Sequence, residues 1–108
     1  MAVSEPYFAS ALTRADIDQC STPTVLDFGT NWCGHCQAAR PLVDAALQSA
    51  PHVTHQKIED GKGRALGRSF GVKLWPTLIF LRGGRELARV VRPTDANVIE
   101  QALQRLQT

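Results

Sequence analysis

Cysteine is scarce in this chain of 108 residues, which contains only three. So small and odd a number does not form the disulfide framework of small secreted domains, and the fold must be held by a packed core. No apolar run approaches the roughly 18–20 residues that a membrane-spanning helix needs, so no membrane association is expected. Charge of one sign is not in excess either: the formal net charge is +2, without a basic and aromatic cluster, and no nucleic-acid partner is expected.

The beginning of the chain also lacks the pattern of a secretory signal. Met1–Ala15 contains Glu5 and has no basic start followed by an apolar stretch, so we expect a cytoplasmic protein. With 44% hydrophobic and 20% charged residues, a chain of this length buries roughly two-thirds of the surface that it exposes when unfolded. The composition therefore predicts one domain over residues 1–108, and we expect it to be a monomer.

Secondary structure is predicted from the periodicity of the apolar residues and from the positions of proline and glycine. The predicted strands are Tyr7–Leu12, Val25–Phe28, Val53–Ile58, Thr77–Leu81 and Glu86–Val91. The predicted helices are a short one capped by Thr13 and running to Cys20, then Gly34–Ser49 with Pro41 inside it, Gly63–Phe70, and Asp95–Leu106 with Thr94 as its candidate cap. This order predicts an α/β fold with a central mixed β-sheet flanked by helices on both faces.

Two of the cysteines, Cys33 and Cys36, are separated by Gly34 and His35 and follow a predicted buried strand. Cys33 is therefore expected at the start of the next helix, where unpaired backbone N–H groups and the helix dipole favour a thiolate. The thiolate is the nucleophile of disulfide exchange, and the spacing lets Cys36 reach back to resolve a mixed disulfide. A buried structural disulfide is the alternative, although so short a loop gives little stability.

Asp27 lies inside the apolar run of the predicted central strand. Burial there would desolvate its carboxylate, which favours the protonated form and makes Asp27 a candidate proton acceptor near neutral pH. An aspartate at a strand end that faces solvent is the alternative. Cys20, near the end of the first predicted helix, is expected to be an inert small hydrophobe, with a regulatory role as the alternative. His52 and His55 are expected to be surface residues rather than ligands.

The cysteine pair is one of several motif positions that are spread along the chain. These positions are Asp27, Trp32, Cys33, Cys36, Pro41, Lys57, Pro76, Thr77 and Gly84. In these residues and their spacing the whole chain resembles the thioredoxin family. The resemblance implies the thioredoxin fold and a thiol–disulfide oxidoreductase, in first place a cytoplasmic protein-disulfide reductase. It also implies protein disulfide substrates, a thioredoxin-reductase-like electron donor, and no cofactor beyond the redox-active disulfide of Cys33 and Cys36.

The same resemblance implies roles for individual residues. Asp27 would assist the deprotonation of Cys36, and Lys57 would be the partner of that carboxylate, unless it is a lone surface lysine. A cis Pro76 would lie beside the cysteine pair and let the Trp75 backbone pair with an extended client segment. The implied client-binding residues are Trp32, Gly34, Trp75, Pro76 and Thr77. Simple packing is the alternative for the two tryptophans.

Four positions depart from the usual pattern of the family. Gly29 stands in place of a tryptophan, Arg92 in place of a glycine, and Trp75 in place of a smaller residue. The fourth is His35, since the central dipeptide is Gly34-His35, as in protein disulfide isomerase domains, rather than Gly-Pro. A cationic His35 would stabilise the nearby thiolate and make the protein less reducing, whereas an exposed, screened imidazole would have no effect.

Other functions remain open on these residues. The protein could act as a disulfide isomerase or oxidase, because the same cysteines serve both directions of exchange. A non-catalytic binding module with this fold is a second alternative, although the intact cysteine pair argues against it. No metal site is expected, since a structural zinc site needs a second pair of ligands that this sequence does not offer.

Overall fold

The computed structural model of the chain describes residues 6–107, so residues 1–5 and 108, the two ends of the predicted domain, lie outside the described range. The strands are β1 Thr24–Gly29, β2 Thr54–Glu59, β3 Thr77–Arg82 and β4 Arg85–Val91. The helices are α1 Arg14–Asp18, α2 Gly34–Gln48, α3 Ala65–Ser69 and α4 Ala96–Arg105.

The four strands form one mixed sheet in the order β2-β1-β3-β4. Strand β1 pairs in parallel with β2 and antiparallel with β3, and β3 pairs antiparallel with β4. Every residue of β1 is buried, which confirms the prediction of a central strand covered on both faces. The end of β1 is therefore an interior position, and the functional site begins there.

Two groups of core residues cover the two faces of the sheet, because successive side chains of a strand point to opposite faces. Val25, Leu78 and Phe80 pack with the buried residues of α2 and α4. Leu26, Ile79 and Leu81 pack with buried residues of α1 and α3. This arrangement confirms the predicted mixed sheet with helices on both faces.

The predicted strand Tyr7–Leu12 is wrong. Within this segment only Phe8 forms an isolated parallel bridge, to Ile58. The backbone of Tyr7 bonds instead to a side chain, since its N–H donates to Asn31 Oδ1 at 2.8 Å and its carbonyl accepts from Asn31 Nδ2 at 2.9 Å. These contacts fix the segment against the loop after β1 rather than in a ladder.

The helix ends differ from the prediction in detail. Thr13 caps α1 as predicted and forms a capping box with Asp16, but α1 ends at Asp18, so Cys20 lies beyond it. Helix α3 is shorter than the predicted Gly63–Phe70. Asp95, not Thr94, caps α4, because its carboxylate accepts hydrogen bonds from the first turn. Helix α2 contains Pro41 as predicted.

Candidate active site

Cys33 is the N-cap of α2, as predicted from its place after the buried strand. Its Sγ accepts a hydrogen bond from the backbone N–H of Cys36 at 3.3 Å. Both cysteines are buried, with 7% of Cys33 and 3% of Cys36 exposed, and neither is in a disulfide. The helix start thus directs a backbone donor at the sulfur of Cys33, which is the arrangement that stabilises a thiolate.

Cys36 is held in its thiol form. Burial, followed by the hydrogen bond with Cys33, raises the pKa of Cys36 to about 12. Hydrogen bonds with the Thr30 backbone and with the Tyr7 side chain act in the opposite direction. Cys36 is therefore protonated at neutral pH and must lose its proton to a nearby base before it can act as a nucleophile.

Asp27 is a buried carboxylate, as predicted, with 2% of the residue exposed. The Tyr7 hydroxyl donates to its Oδ1 at 2.6 Å, and His55 Nε2 lies 3.0 Å from its Oδ2. Each oxygen thus has a partner, which offsets the cost of burying the charge. Through Tyr7, which packs with the two cysteines, this carboxylate is linked to the site.

The neighbouring strand β2 brings two side chains to this carboxylate's side of the sheet. Lys57 lies opposite Asp27 in the parallel register, is 7% exposed, and forms an ion pair with Asp44 at 3.6 Å. It is therefore not a lone surface lysine. The expectation that His55 is a surface residue is wrong, since its ring contacts Asp27 and its side chain is only 19% exposed. The period of two along a strand puts His55 on the face of Lys57, and this signal is present in the sequence.

Tyr7 is the functional candidate that the sequence analysis missed. It is 5% exposed and packs with Cys33 and Cys36. Burial, followed by the charge of Asp27, raises the pKa of Tyr7 far above its usual value, so the phenol keeps its proton. Gly29 leaves the room for it: a Cβ there would lie 2.6 Å from Cys36 Sγ and 2.7 Å from the tyrosine ring. The departure at Gly29 was the available signal.

The loop before β3 forms a rim beside the cysteines. The Trp75–Pro76 peptide bond is cis, as the resemblance implied. The rings of Trp75 and Trp32 meet edge to face at 5.6 Å, and Trp75 Nε1 donates to Asp60 Oδ2 at 2.8 Å. Trp32 is 76% exposed, so it offers an apolar face to solvent at this rim.

Arg92 is hydrogen-bonded to the same loop. Its φ is +49°, in the left-handed region that glycine adopts most easily. Its backbone N–H donates to the Pro76 carbonyl at 3.0 Å, and its Nε donates to the Trp75 carbonyl at 2.8 Å. Thr77 is buried, and its hydroxyl donates to the Leu74 carbonyl at 2.6 Å, which holds the loop internally.

The remaining predicted site residues lie at the exposed start of α2. Gly34 and His35 are both exposed, and the position of a Gly34 Cβ has no atom within 4 Å. Within residues 6–107, no three His, Cys, Asp or Glu side chains come together in a group that could hold a metal ion. No helix of that range is long and apolar enough to cross a membrane. The site therefore consists of two thiols, Cys33 and Cys36, and the buried carboxylate of Asp27 as the candidate base.

Comparison with known proteins points to one family. Residues 7–105 match the sequence model of the thioredoxin family. A thioredoxin of Chlamydia muridarum is 29% identical over 105 residues, covering 97% of this chain and 96% of that protein. The structure of reduced thioredoxin 2 from Pseudomonas aeruginosa PAO1 is 55% identical, with a TM-score of 0.86 and 96% of both chains covered. Thioredoxin NaTrxh from Nicotiana alata is 28% identical, with a TM-score of 0.75 and the same coverage.

Proposed function

Because the chain belongs to the thioredoxin family and is a thiol–disulfide oxidoreductase, we propose that it works as a monomer in the cytoplasm and reduces disulfides of client proteins there. A thioredoxin-reductase-like protein supplies its electrons. The observation that carries this proposal is the position of Cys33, whose sulfur caps α2 and accepts the backbone N–H of Cys36. No cofactor is needed, because the electron pair is held by the two cysteines themselves.

The reaction proceeds in two exchanges. The Cys33 thiolate attacks one sulfur of the client disulfide, forming a mixed disulfide and releasing the other client sulfur as a thiolate. Cys36 then loses its proton toward Asp27 and attacks the sulfur of Cys33. The bond between Cys33 and the client breaks, and the second client thiolate leaves. The client has gained two electrons, and the protein now holds the Cys33–Cys36 disulfide.

Clients would bind along the rim beside the cysteines. Trp32 and Trp75 would provide apolar area, and Gly34 is exposed next to Cys33 at the start of α2. The loop at Pro76, held from within by Thr77, presents backbone groups to an extended client segment. Asp27 and Lys57, which are opposite each other on neighbouring strands, are both buried and would serve the proton step rather than binding.

Replacement of Cys33 and replacement of Cys36 by serine have different expected outcomes. Cys33→Ser abolishes reduction of insulin disulfides in the presence of dithiothreitol, because the attacking thiolate is lost. Cys36→Ser performs the first exchange and accumulates mixed disulfides, which denaturing gels without reductant detect. Cys20→Ser is the matched control and retains the parent rate, since Cys20 lies outside the site. If Cys33→Ser traps clients and Cys36→Ser does not, the order of the two cysteines is reversed.

A further inference from the structure

The side chain of Tyr7 lies between the thiol that must lose a proton and the carboxylate that receives it. Its hydroxyl donates to Asp27 Oδ1 at 2.6 Å, and its side chain packs against Cys36. A Cβ on Gly29 would lie 2.9 Å from the phenol oxygen and 2.6 Å from the Cys36 sulfur, so both atoms border the same point beside Gly29. The phenol oxygen thus bonds to the carboxylate and is a close neighbour of the sulfur.

The position of the phenol is fixed by contacts of the Tyr7 backbone and of the Asp27 carboxylate. The backbone of Tyr7 makes two hydrogen bonds with Asn31, in the loop that leads to Cys33. On the other side of the carboxylate, His55 holds Oδ2 at 3.0 Å, which leaves Oδ1 facing the phenol. The fold itself therefore holds the phenol next to both groups.

Resting on the reductase function proposed above, we propose that Tyr7 is a catalytic proton relay between Cys36 and Asp27. In the mixed disulfide, the S–H proton of Cys36 passes to the phenol oxygen as the phenol proton passes to Asp27 Oδ1. The Cys36 thiolate forms its bond to the sulfur of Cys33, and the client sulfur leaves with the electron pair. When the electron donor later attacks the oxidised protein, the reverse transfer protonates the departing Cys36.

The surroundings favour a concerted exchange over a charged phenol. Burial and the nearby carboxylate disfavour tyrosinate, so the phenol gives up one proton only as it takes another. The other ionisable groups on this side are His55 and Lys57 from β2, with Asp44 of α2 pairing with Lys57. Any pH dependence of the proton step reflects these groups together with the Cys36 thiol.

The test separates the two exchanges in the Tyr7→Phe variant, which loses the hydroxyl and keeps the buried ring. In stopped-flow single turnovers with a fluorescently labelled peptide disulfide, we expect the resolving step to slow about tenfold to hundredfold at pH 7. Its rate then rises about tenfold per pH unit, because hydroxide must remove the proton. The first attack, measured with Tyr7→Phe in a Cys36→Ser background, stays within about twofold of that background alone, which shows that the site is intact.

A double variant tests whether the residues act in one path. In an Asp27→Asn background, Tyr7→Phe produces no further slowing if the phenol acts only through this carboxylate. Slowing that multiplies would overturn the relay, as would a parental resolving rate in Tyr7→Phe between pH 6 and pH 9. If the parent protein does not reduce the labelled peptide disulfide, the reductase function fails and the relay fails with it. If the parent turns over normally and only Tyr7→Phe is without effect, the relay alone fails.

Discussion

Asp27 combines full burial with a hydrogen bond to each carboxylate oxygen. Such bonds offset much of the desolvation cost, but a buried charge still destabilises a fold relative to a neutral group of the same shape. Its retention on the central strand is therefore better explained by chemistry than by stability. The Cys36 thiol, with its pKa raised to about 12, is the group that needs a base nearby.

Replacing this carboxylate by an amide separates its effect on stability from its effect on catalysis. Asp27→Asn keeps an oxygen for the Tyr7 hydroxyl and offers an N–H to His55, so we expect a free energy of unfolding at least equal to that of the parent. Turnover at neutral pH falls about 10²-fold, at the lower end of general acid–base contributions. Denaturant unfolding and insulin reduction measure the two quantities. Parental turnover in the stable variant would remove Asp27 from the mechanism.

At the scale of the element, α4 closes the chain over one face of the sheet, and its first turn depends on one side chain. Asp95 Oδ1 accepts from the N–H of Asn97 at 2.7 Å and from that of Val98 at 3.3 Å. Asp95→Ala leaves both donors without this acceptor and lowers the free energy of unfolding by about 1 kcal/mol. Thr94→Ala is the matched control and stays within about 0.5 kcal/mol. Equal losses in both variants would mean that the two residues share the cap.

The loop that carries Trp75 would contact client proteins in the function proposed above. Because the ring contacts Trp32 and its N–H is bound by Asp60, Trp75→Thr removes apolar area from the rim while leaving the cysteines in place. We expect kcat/KM for insulin to fall severalfold more than kcat/KM for a small aromatic disulfide.

Trp75→Phe tests which property of that ring matters. It retains an aromatic face without the hydrogen bond to Asp60, so it keeps most of the activity toward the protein substrate if apolar contact is what counts. Equal losses toward both substrates in Trp75→Thr would make Trp75 a packing residue.

At the scale of the whole molecule, the reduction potential measures how much more stable the protein makes its dithiol than its disulfide form. His35, exposed in the first turn of α2, is the motif residue that distinguishes this chain from a Gly-Pro thioredoxin. A cationic imidazole near Cys33 stabilises the reduced form and makes the disulfide more oxidising. We therefore expect a potential between about −270 mV and −180 mV.

Two replacements of His35 separate charge from backbone effects. His35→Pro lowers the potential by about 30 mV, a change of about 1.4 kcal/mol for two electrons. His35→Gln reproduces this shift if the imidazole charge is the cause. Equilibration against glutathione measures both. A shift in the proline variant alone would assign the effect to the backbone, and no shift in either would mean that His35 does not affect the potential.

The sequence was sufficient to predict those parts of the fold that depend on local pattern. The buried runs around Asp27 and Leu78, and the helix that starts after Cys33, all follow from apolar periodicity and turn residues. The segment after Tyr7 could not be predicted in this way, because its backbone is bound by the side chain of Asn31, 24 residues away. The cap of α4 was ambiguous because Thr94 and Asp95 are both capping types, and only the backbone geometry decides between them.

The site shows the same division. Cys33, Cys36 and Asp27 were identified because their own neighbours in the sequence reveal them. Tyr7 and His55 reach Asp27 from 20 and 28 residues away, and such contacts depend on how strands and loops meet in space. Only the alternation along β2 and the missing side chain at Gly29 pointed to them beforehand.

The guanidinium of Arg92 would affect how a client strand pairs with the loop at Pro76. Its Nε already donates to the Trp75 carbonyl, so a client N–H that pairs with this oxygen would share it with Arg92 or displace that bond. A displacement would exchange one hydrogen bond for another, and backbone pairing would then contribute alignment more than affinity. In either case the arginine would lie beside the client, where a carboxylate would stabilise it and a cation would not. Selection among clients would then depend on the charge of each client segment rather than on the backbone that all of them share.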